Sequence, residues 1–150
     1  LATSGVAPSR LELEVTEAML LQDNESNASA LHKLSALGVR IAMDDFGTGY
    51  SSLSYLQRFP FHKIKIDRSF IANLESENDV AFAIVQAVAT LAKALGVTTT
   101  AEGVETERQA NLVRAAGCIT MQGYLFSPPK PAAEIDKYFA HREAKIAHVA

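Results

Sequence analysis

The chain has 150 residues, of which 48% are hydrophobic and 21% are charged, and its formal net charge is -3. This composition is typical of one soluble globular domain that can bury a core. The acidic balance argues against a protein that binds nucleic-acid polymers or membrane surfaces through a basic face, and no apolar run approaches the roughly 18 residues of a membrane span.

The pattern of apolar residues and turn signals predicts five strands that alternate with helices. The strands are Leu11–Thr16, Val39–Asp44, Lys63–Asp67, Val97–Glu102 and Cys118–Gln122. The helices are Ala18–Leu37, Ser51–Phe59, Asp79–Leu95, a helix from Thr106 to about Ala116, and Ala132–Arg142. This β-α order favours a parallel sheet.

The remaining segments are predicted to be loops and caps. Leu1–Arg10 is expected to be a loop without the features of a signal peptide, and Arg68–Asn78 a polar loop. Glycines that act as C-caps are expected at Gly38, Gly96 and Gly117. Thr106 and Gln109 have the spacing of a capping box.

Two adjacent carboxylates, Asp44 and Asp45, end the second predicted strand. Neighbouring side chains of a strand point to opposite faces, so these two share a site only where the strand ends and the backbone turns. Gly47 and Gly49 are expected to supply that turn. A divalent metal would relieve the repulsion between the two acids, and oxygen ligands suit Mg²⁺ or Mn²⁺.

Two alternatives compete with a metal site at this stretch. Aspartate and glycine also dominate ordinary turns. The triplet Asp45-Phe46-Gly47 occurs in protein kinases, but the chain has neither their glycine-rich nucleotide loop nor a His-Arg-Asp motif, and we set that interpretation aside.

Polar residues stand late in all five predicted strands, on the face opposite the aliphatic residues. They are Glu14, Asp44, Lys65, Glu102 and Gln122. Parallel strands that are buried on both faces would be apolar throughout. We therefore expect the aliphatic faces to pack under helices and the polar faces to point into a barrel, at the carboxyl end where such enzymes carry their chemistry. Burial of uncompensated carboxylates would be costly, which favours the metal site over ordinary turns.

Cys118 is the only cysteine, so no intrachain disulfide can form. Its position at the entry to a strand, with no histidine nearby in sequence, predicts a small buried residue and not a nucleophile. The four histidines of the chain show no metal-ligand spacing.

Five segments together resemble the EAL-domain family of cyclic di-GMP phosphodiesterases. They occur in the family's order and are Leu11–Glu17, Asp44–Leu53, Lys63–Asp67, Ala101–Glu105 and Gln122–Pro129. The resemblance implies a (β/α)₈ TIM-like barrel, here an incomplete barrel of about five β-α units. It also implies metal-dependent hydrolysis of cyclic di-GMP to linear pGpG in bacterial second-messenger signalling.

The resemblance further implies a role for each matching residue. The acids of a site for two divalent ions, Mg²⁺ or Mn²⁺, are Glu14, Asp44, Asp45 and Glu102. Lys65 matches a lysine that contacts the attacking water or the phosphate. Gln122 matches a glutamine at the edge of the site, and Glu105 an acid that supports it. Glu17 matches an acid that holds the loop after Asp45, which the family uses in metal binding and dimer coupling.

The chain departs from the family pattern in two ways. It contains no Glu-Ala-Leu sequence, whose glutamate is a metal ligand of the family, and no match to an asparagine ligand expected before Leu11. We therefore expect residues 1–150 to be the carboxyl-terminal portion of one domain, and inactive alone. The resemblance implies a homodimeric, cytoplasmic parent protein that a membrane sensor could tether, with no direct membrane contact from this segment.

Two other functions compete with hydrolysis. The first is a catalytically degenerate regulator that binds cyclic di-GMP or a partner protein, although the retained acids and Lys65 argue against it. The second is a barrel enzyme in which Lys65 forms a Schiff base, which Asp67 and the acids disfavour.

Overall fold

The computed structural model describes residues 3–21, 25–47, 53–76, 79–135 and 139. Five strands form one parallel sheet in the order β1-β2-β3-β4-β5. They are β1 (Glu12–Thr16), β2 (Arg40–Phe46), β3 (Lys63–Ile66), β4 (Thr98–Ala101) and β5 (Thr120–Met121). Because each strand pairs with the next one in sequence, the sheet has the connectivity of a (β/α)₈-type barrel.

Among the described residues, six helices connect or follow the strands, and residues 132–135 are also helical. The six helices are α1 (Glu17–Leu21), α2 (Glu25–Ala36), α3 (Leu53–Arg58), α4 (Arg68–Ala72), α5 (Val80–Leu95) and α6 (Glu107–Ala115). A single 3-10 turn at Pro8–Arg10 lies inside the segment predicted to be a loop. None of the described helices is both long and apolar enough to cross a membrane.

The hydrophobic core lies between the sheet and the helices. Ile41 and Met43 of β2, and Ile64 and Ile66 of β3, are fully buried on the helix-facing side, where Val85 of α5 joins them. Burial of each such side chain contributes about 1.5–3 kcal/mol. The aliphatic residues of the strands thus face the helices as predicted, and the opposite face is left for polar groups.

The predicted caps are present where the chain leaves and enters its helices. Gly96 adopts a left-handed conformation with φ 71°, and its N–H bonds to carbonyl groups of the last turn of α5. Gly38 and Gly117 also have positive φ. Thr106 and Gln109 form the expected capping box at the start of α6. Cys118 is buried, as predicted.

The prediction of a polar loop from Arg68 to Asn78 was wrong, because residues 68–72 form α4. The Asp67 carboxylate caps this helix by accepting the Ser69 N–H at 2.9 Å. Two apolar side chains at helical spacing, Ile71 and Leu74, lie in the core. The polar residues around them hid this short amphipathic pattern.

Several predicted boundaries also shift. Glu102 and Gln122 lie directly after β4 and β5 and not inside them, and β2 runs on to Phe46. The helix expected at Ala18–Leu37 begins at Glu17, and residues 22–24 between α1 and α2 lie outside the described residues. Gly49 and the first two residues of the helix expected at Ser51–Phe59 also lie outside them. Of the helix expected at Ala132–Arg142, residues 132–135 are helical, and most of the rest lies outside the described residues.

Candidate active site

Lys65 is the centre of a cluster of acids at the carboxyl ends of the strands. Its Nζ lies 2.7 Å from Glu14 Oε2, 3.0 Å from Asp44 Oδ1 and 2.7 Å from Glu102 Oε1. The Lys65 side chain is 7% exposed. One ammonium group therefore joins carboxylates from β1, β2 and the segment after β4, and the predicted convergence of these side chains is present in the structure.

The register of the parallel strands explains this convergence. Thr16 pairs with Asp44 across β1 and β2, and Lys65 pairs with Thr100 across β3 and β4. The Glu102 N–H continues the ladder by donating to the carbonyl of Ile66 at 3.1 Å. Since parallel neighbours end at the same edge of a sheet, residues near each carboxyl end come together.

Asp45 reaches the same site through an unusual backbone conformation. It has φ 54°, and among the described residues it is the single non-glycine position with positive φ. The register between β2 and β3 shifts between Met43 and Phe46. Asp44 and Asp45 are therefore brought together by a bulge inside β2 at Asp45 itself, which we did not predict. Gly47, where we expected a turn, follows the strand with φ 97°, and Gly49 lies outside the described residues.

Three carboxylates have the chemistry and spacing for a divalent cation. Ligand oxygens of Asp44, Asp45 and Glu102 all lie within 4.8 Å of one another, and the three residues are half-buried. Oxygen-only donors of this kind match Mg²⁺ or Mn²⁺. Glu14 lies next to this group through Lys65 and has a side chain that is 49% exposed. The residues present fit a cation site.

The cluster carries an excess of negative charge. Glu14, Asp44, Asp45 and Glu102 provide four carboxylates against the one ammonium of Lys65. Burial disfavours the charged form of Lys65, but its hydrogen bonds to the three carboxylates outweigh burial and raise the pKa of Lys65 above its ordinary value. Lys65 is therefore a fixed positive charge at any physiological pH.

A cavity of about 360 Å³ opens beside the cluster. Its walls include Asp45, Glu102, Glu105 and Gln122, together with Tyr124. Gln122, which was expected at the edge of the site, and Glu105, which was expected to support it, thus line one cavity with two of the acids. Asp67 and Arg68 also line it.

The wall that carries Gln122 depends on a close approach of two backbones. Val104 N–H donates to the Gln122 carbonyl at 3.0 Å, and Leu125 N–H donates to the Val104 carbonyl at 3.0 Å. A Cβ on Gly123 would lie 2.1 Å from the Val104 carbonyl oxygen. Only glycine fits there. The segments after β4 and β5 are therefore held together by the two hydrogen bonds and by this close backbone contact.

Glu17 lies apart from the acids. It begins α1, is 5% exposed, and neither carboxylate oxygen has a hydrogen-bond partner within the described ranges. The loop that it was expected to hold begins with Asp45-Phe46-Gly47, which the structure describes, and no hydrogen bond from the Glu17 carboxylate to these residues is present. Its role therefore stays a prediction.

Sequence reasoning gave no role to three residues that line the cavity, namely Asp67, Arg68 and Tyr124. A signal for them was available, because Asp67 and Arg68 follow the end of β3, and Tyr124 comes two residues after Gln122. Positions directly after strands of a parallel sheet line the site edge whatever their residue type.

Comparison with known proteins identifies close similarity over almost the whole chain. The model of the EAL domain matches residues 1–129. The chain is 48% identical over 128 residues to the bifunctional diguanylate cyclase/cyclic di-GMP phosphodiesterase MucR of Pseudomonas aeruginosa, covering 85% of the chain and 18% of MucR. It is 44% identical over 139 residues to the cyclic di-GMP phosphodiesterase NbdA of the same organism, covering 92% of the chain and 18% of NbdA.

Two solved structures extend the comparison. The MucR phosphodiesterase in complex with c-di-GMP has a TM-score of 0.83 at 44% identity, covering 90% of this chain and 54% of that one. A manganese and c-di-GMP complex of BlrP1 from Klebsiella pneumoniae has a TM-score of 0.80 at 36% identity, covering 86% and 33%. These similarities confirm the expected fold class, α/β and part of a (β/α)₈-type barrel. The chain spans less than a fifth of the length of MucR and of NbdA.

Proposed function

The chain belongs to the EAL domain family, and from that membership we propose that it forms the carboxyl-terminal portion of a cyclic di-GMP phosphodiesterase domain. The reaction is the hydrolysis of one phosphodiester bond of cyclic di-GMP to give linear pGpG. The observation that carries the proposal is the cluster of Glu14, Asp44 and Glu102 around Lys65. Relatives that share the fold are named as cyclic di-GMP phosphodiesterases.

The charge of the cluster explains why such a site requires cations. A phosphodiester is an anion, and four carboxylates with one lysine would repel it. Two like charges about 4 Å apart repel by about 4 kcal/mol near a protein surface. Divalent ions held by Glu14, Asp44, Asp45 and Glu102 would reverse that sign. Such ions, Mg²⁺ or Mn²⁺, supply an activated water at neutral pH and neutralise charge that develops on the phosphate oxygens.

Lys65 has a separate part in the proposed reaction. Its ammonium group lies within 3.0 Å of three carboxylates, which favour the protonated form. It can donate a hydrogen bond to the water or to a phosphate oxygen as charge develops there. The raised pKa also argues against a Schiff base, which requires an unprotonated lysine.

The residues at the edge of the site would position the substrate. Gln122 and Glu105 line the cavity beside the acids, where the Gln122 amide can donate to and accept from a nucleotide. Glu105 supports it from the same wall. Glu17 would hold the loop after Asp45 from its buried position in α1.

We assign the activity to the protein that carries this chain, and expect the 150-residue chain alone to be inactive, because it contains no Glu-Ala-Leu sequence. The proposal includes a cytoplasmic homodimer that a membrane sensor of the full-length protein could tether. The alternative function is a regulator that binds cyclic di-GMP without cutting it. The intact set of acids around Lys65 favours hydrolysis, because a reader needs no such set.

Incubation of the full protein with cyclic di-GMP, followed by chromatography of the nucleotides, tests the proposal. We expect pGpG to form with Mn²⁺ or Mg²⁺, and to be absent after removal of cations by a chelator. Binding of cyclic di-GMP without formation of pGpG in the presence of Mn²⁺ would support the regulator instead.

A further inference from the structure

The loop that carries Glu102 and Glu105 is held by side chains that lie outside the cluster of acids. Gln109 Oε1 accepts the N–H of Glu105 at 2.8 Å and the N–H of Thr106 at 3.1 Å. Gln109 is 8% exposed, so water competes poorly for these two N–H groups. One buried amide oxygen therefore fixes two successive peptide groups of this loop.

The hydroxyl of Thr106 extends this network in two directions. It accepts the backbone N–H of Gln109 at 3.0 Å and donates to Glu75 Oε1. Its first bond is the usual N-cap interaction of a helix. Its second bond joins the loop to a different part of the chain, because Glu75 lies after α4.

The segment around α4 is itself anchored to the strand that carries Lys65. It begins with Asp67 and Arg68 directly after β3, and Leu74 buries its side chain in the core next to Glu75. The loop contacts this segment at a second place, since a Cβ on Gly103 would lie 2.6 Å from Arg68 Cβ. The loop after β4 thus packs closely against the segment after β3 at Gly103 and is hydrogen-bonded to it at Thr106.

We propose that Glu75, Thr106 and Gln109 are positioning residues that brace the Glu102–Glu105 loop against the α4 segment. The brace sets the place of Glu102 relative to Lys65 and directs Glu105 into the cavity. The expected effect of the brace on turnover rests on the proposed function, whereas its expected effect on the backbone of the loop is independent of that function. Substitution of residues that orient metal ligands typically lowers metal affinity or activity by about 10- to 100-fold.

Two pairs of matched variants test the brace in the full protein. T106V keeps the shape of the side chain and removes both hydrogen bonds, whereas T106S keeps them. Q109L removes the acceptor, whereas Q109E retains an acceptor at the third position of α6. We expect T106V and Q109L to lower Mn²⁺ affinity and kcat about tenfold, with little change of KM, and we expect T106S and Q109E to restore most of both.

Hydrogen exchange gives a readout that needs neither metal nor substrate. The amides of Glu105 and Thr106 should exchange faster in T106V and Q109L than in T106S and Q109E. If the wild-type protein neither binds Mn²⁺ nor forms pGpG, the proposed function fails. The brace is then tested by hydrogen exchange at these two amides alone. Should Q109L fail to fold, E75A removes the anchor at a half-buried position outside α6, and slower turnover is expected there too.

A purely structural role would give a different pattern. T106V and Q109L would then lower the melting temperature and speed exchange throughout the protein alike, but keep the wild-type kcat and Mn²⁺ affinity. That result would overturn the proposal.

Discussion

The inner face of the sheet carries two layers of charged side chains, which differ in their ratio of acids to basic residues. In the lower layer, Glu12 Oε1 lies 2.5 Å from Lys63 Nζ and Glu12 Oε2 lies 3.4 Å from Arg40 Nε. In the upper layer, two residues further along β1 and β3, Lys65 meets Glu14, Asp44 and Glu102. The lower layer has one acid for two cations, and the upper layer has several acids for one.

This difference separates charged residues that stabilise the sheet by themselves from charged residues that require a bound cation. The lower layer neutralises its carboxylate with side chains of the protein, so it can stabilise the sheet without any ion. The upper layer holds carboxylates near one another without enough positive charge, which is costly in a partly buried site. Such an arrangement is typical of a functional site and not of a structural ion-pair network.

The largest expected effect comes from replacing the lysine of each layer. K65M removes the positive charge from the upper layer, and we expect turnover of cyclic di-GMP to fall by at least about 100-fold. Without metal it should also lower the free energy of unfolding by about 3 kcal/mol, because it leaves acids without a partner. K63M is the matched control and should keep turnover. Steady-state kinetics check this, and equal losses in both variants would remove the distinction between the layers.

Replacing one acid in each layer should change the melting temperature in a way that depends on metal for the upper layer and is independent of metal for the lower layer. E102Q relieves repulsion in the upper layer, so we expect a higher melting temperature than wild type without metal, and a smaller rise on addition of Mn²⁺. E12Q removes the only acid of the lower layer and should lower the melting temperature equally with and without Mn²⁺. Calorimetric melting curves measure both. A full Mn²⁺ response in E102Q would argue that Glu102 holds no ion.

Asp45 allows backbone strain to be separated from charge. D45A and D45N remove the same charge, but D45A also places alanine at a left-handed φ, whereas asparagine tolerates this conformation. Without metal, D45A should therefore have a free energy of unfolding about 1 kcal/mol lower than that of D45N. Both variants should weaken Mn²⁺ binding. Denaturant unfolding and Mn²⁺ titration together test this, and a D45A variant as stable as D45N would contradict backbone strain at Asp45.

The smallest expected effect concerns Asp67, which lines the cavity next to the upper layer. Burial works to raise its pKa, but hydrogen bonds from Ser69 and the charge of Arg68 outweigh it, so the pKa of Asp67 is lowered. The stabilisation is therefore complete above the ordinary pKa of about 3.9 and is lost as the pH falls through the lower folded value. D67N lacks this ionisation, so its deficit relative to wild type should shrink in acid.

Unfolding followed at several pH values between about 6 and 3 checks this prediction. D79N is the matched control, because Asp79 is the N-cap of α5 but makes no capping hydrogen bond with its side chain. A deficit of D67N that stays constant with pH would contradict the assignment.

Much of the fold and part of the site followed from local patterns in the sequence. The glycine caps at Gly38 and Gly96 and the capping box of Thr106 depend only on neighbouring residues, and each was predictable. The alternation in β1 and β3 placed Glu14 and Lys65 on one face. Parallel connectivity then predicted that the strand ends meet.

The remainder depends on contacts between distant residues. That Lys65 bonds to three acids at once follows from the register of four strands, which no local pattern specifies. The bulge at Asp45 is a shift between β2 and β3, and sequence offered the glycines as a more obvious turn. The ion pair of the lower layer could have been predicted from the sequence, because Glu12 and Lys63 lie two residues before Glu14 and Lys65 and so point to the same face of the sheet.

Counting the Mn²⁺ ions bound by the full protein tests the central claim most directly. Electron paramagnetic resonance of free Mn²⁺ during a titration gives the number of bound ions. The account predicts two ions per wild-type domain, two in E12Q and fewer in E102Q. Wild-type protein that binds no Mn²⁺, or an E102Q variant that binds as many ions as wild type, would contradict it.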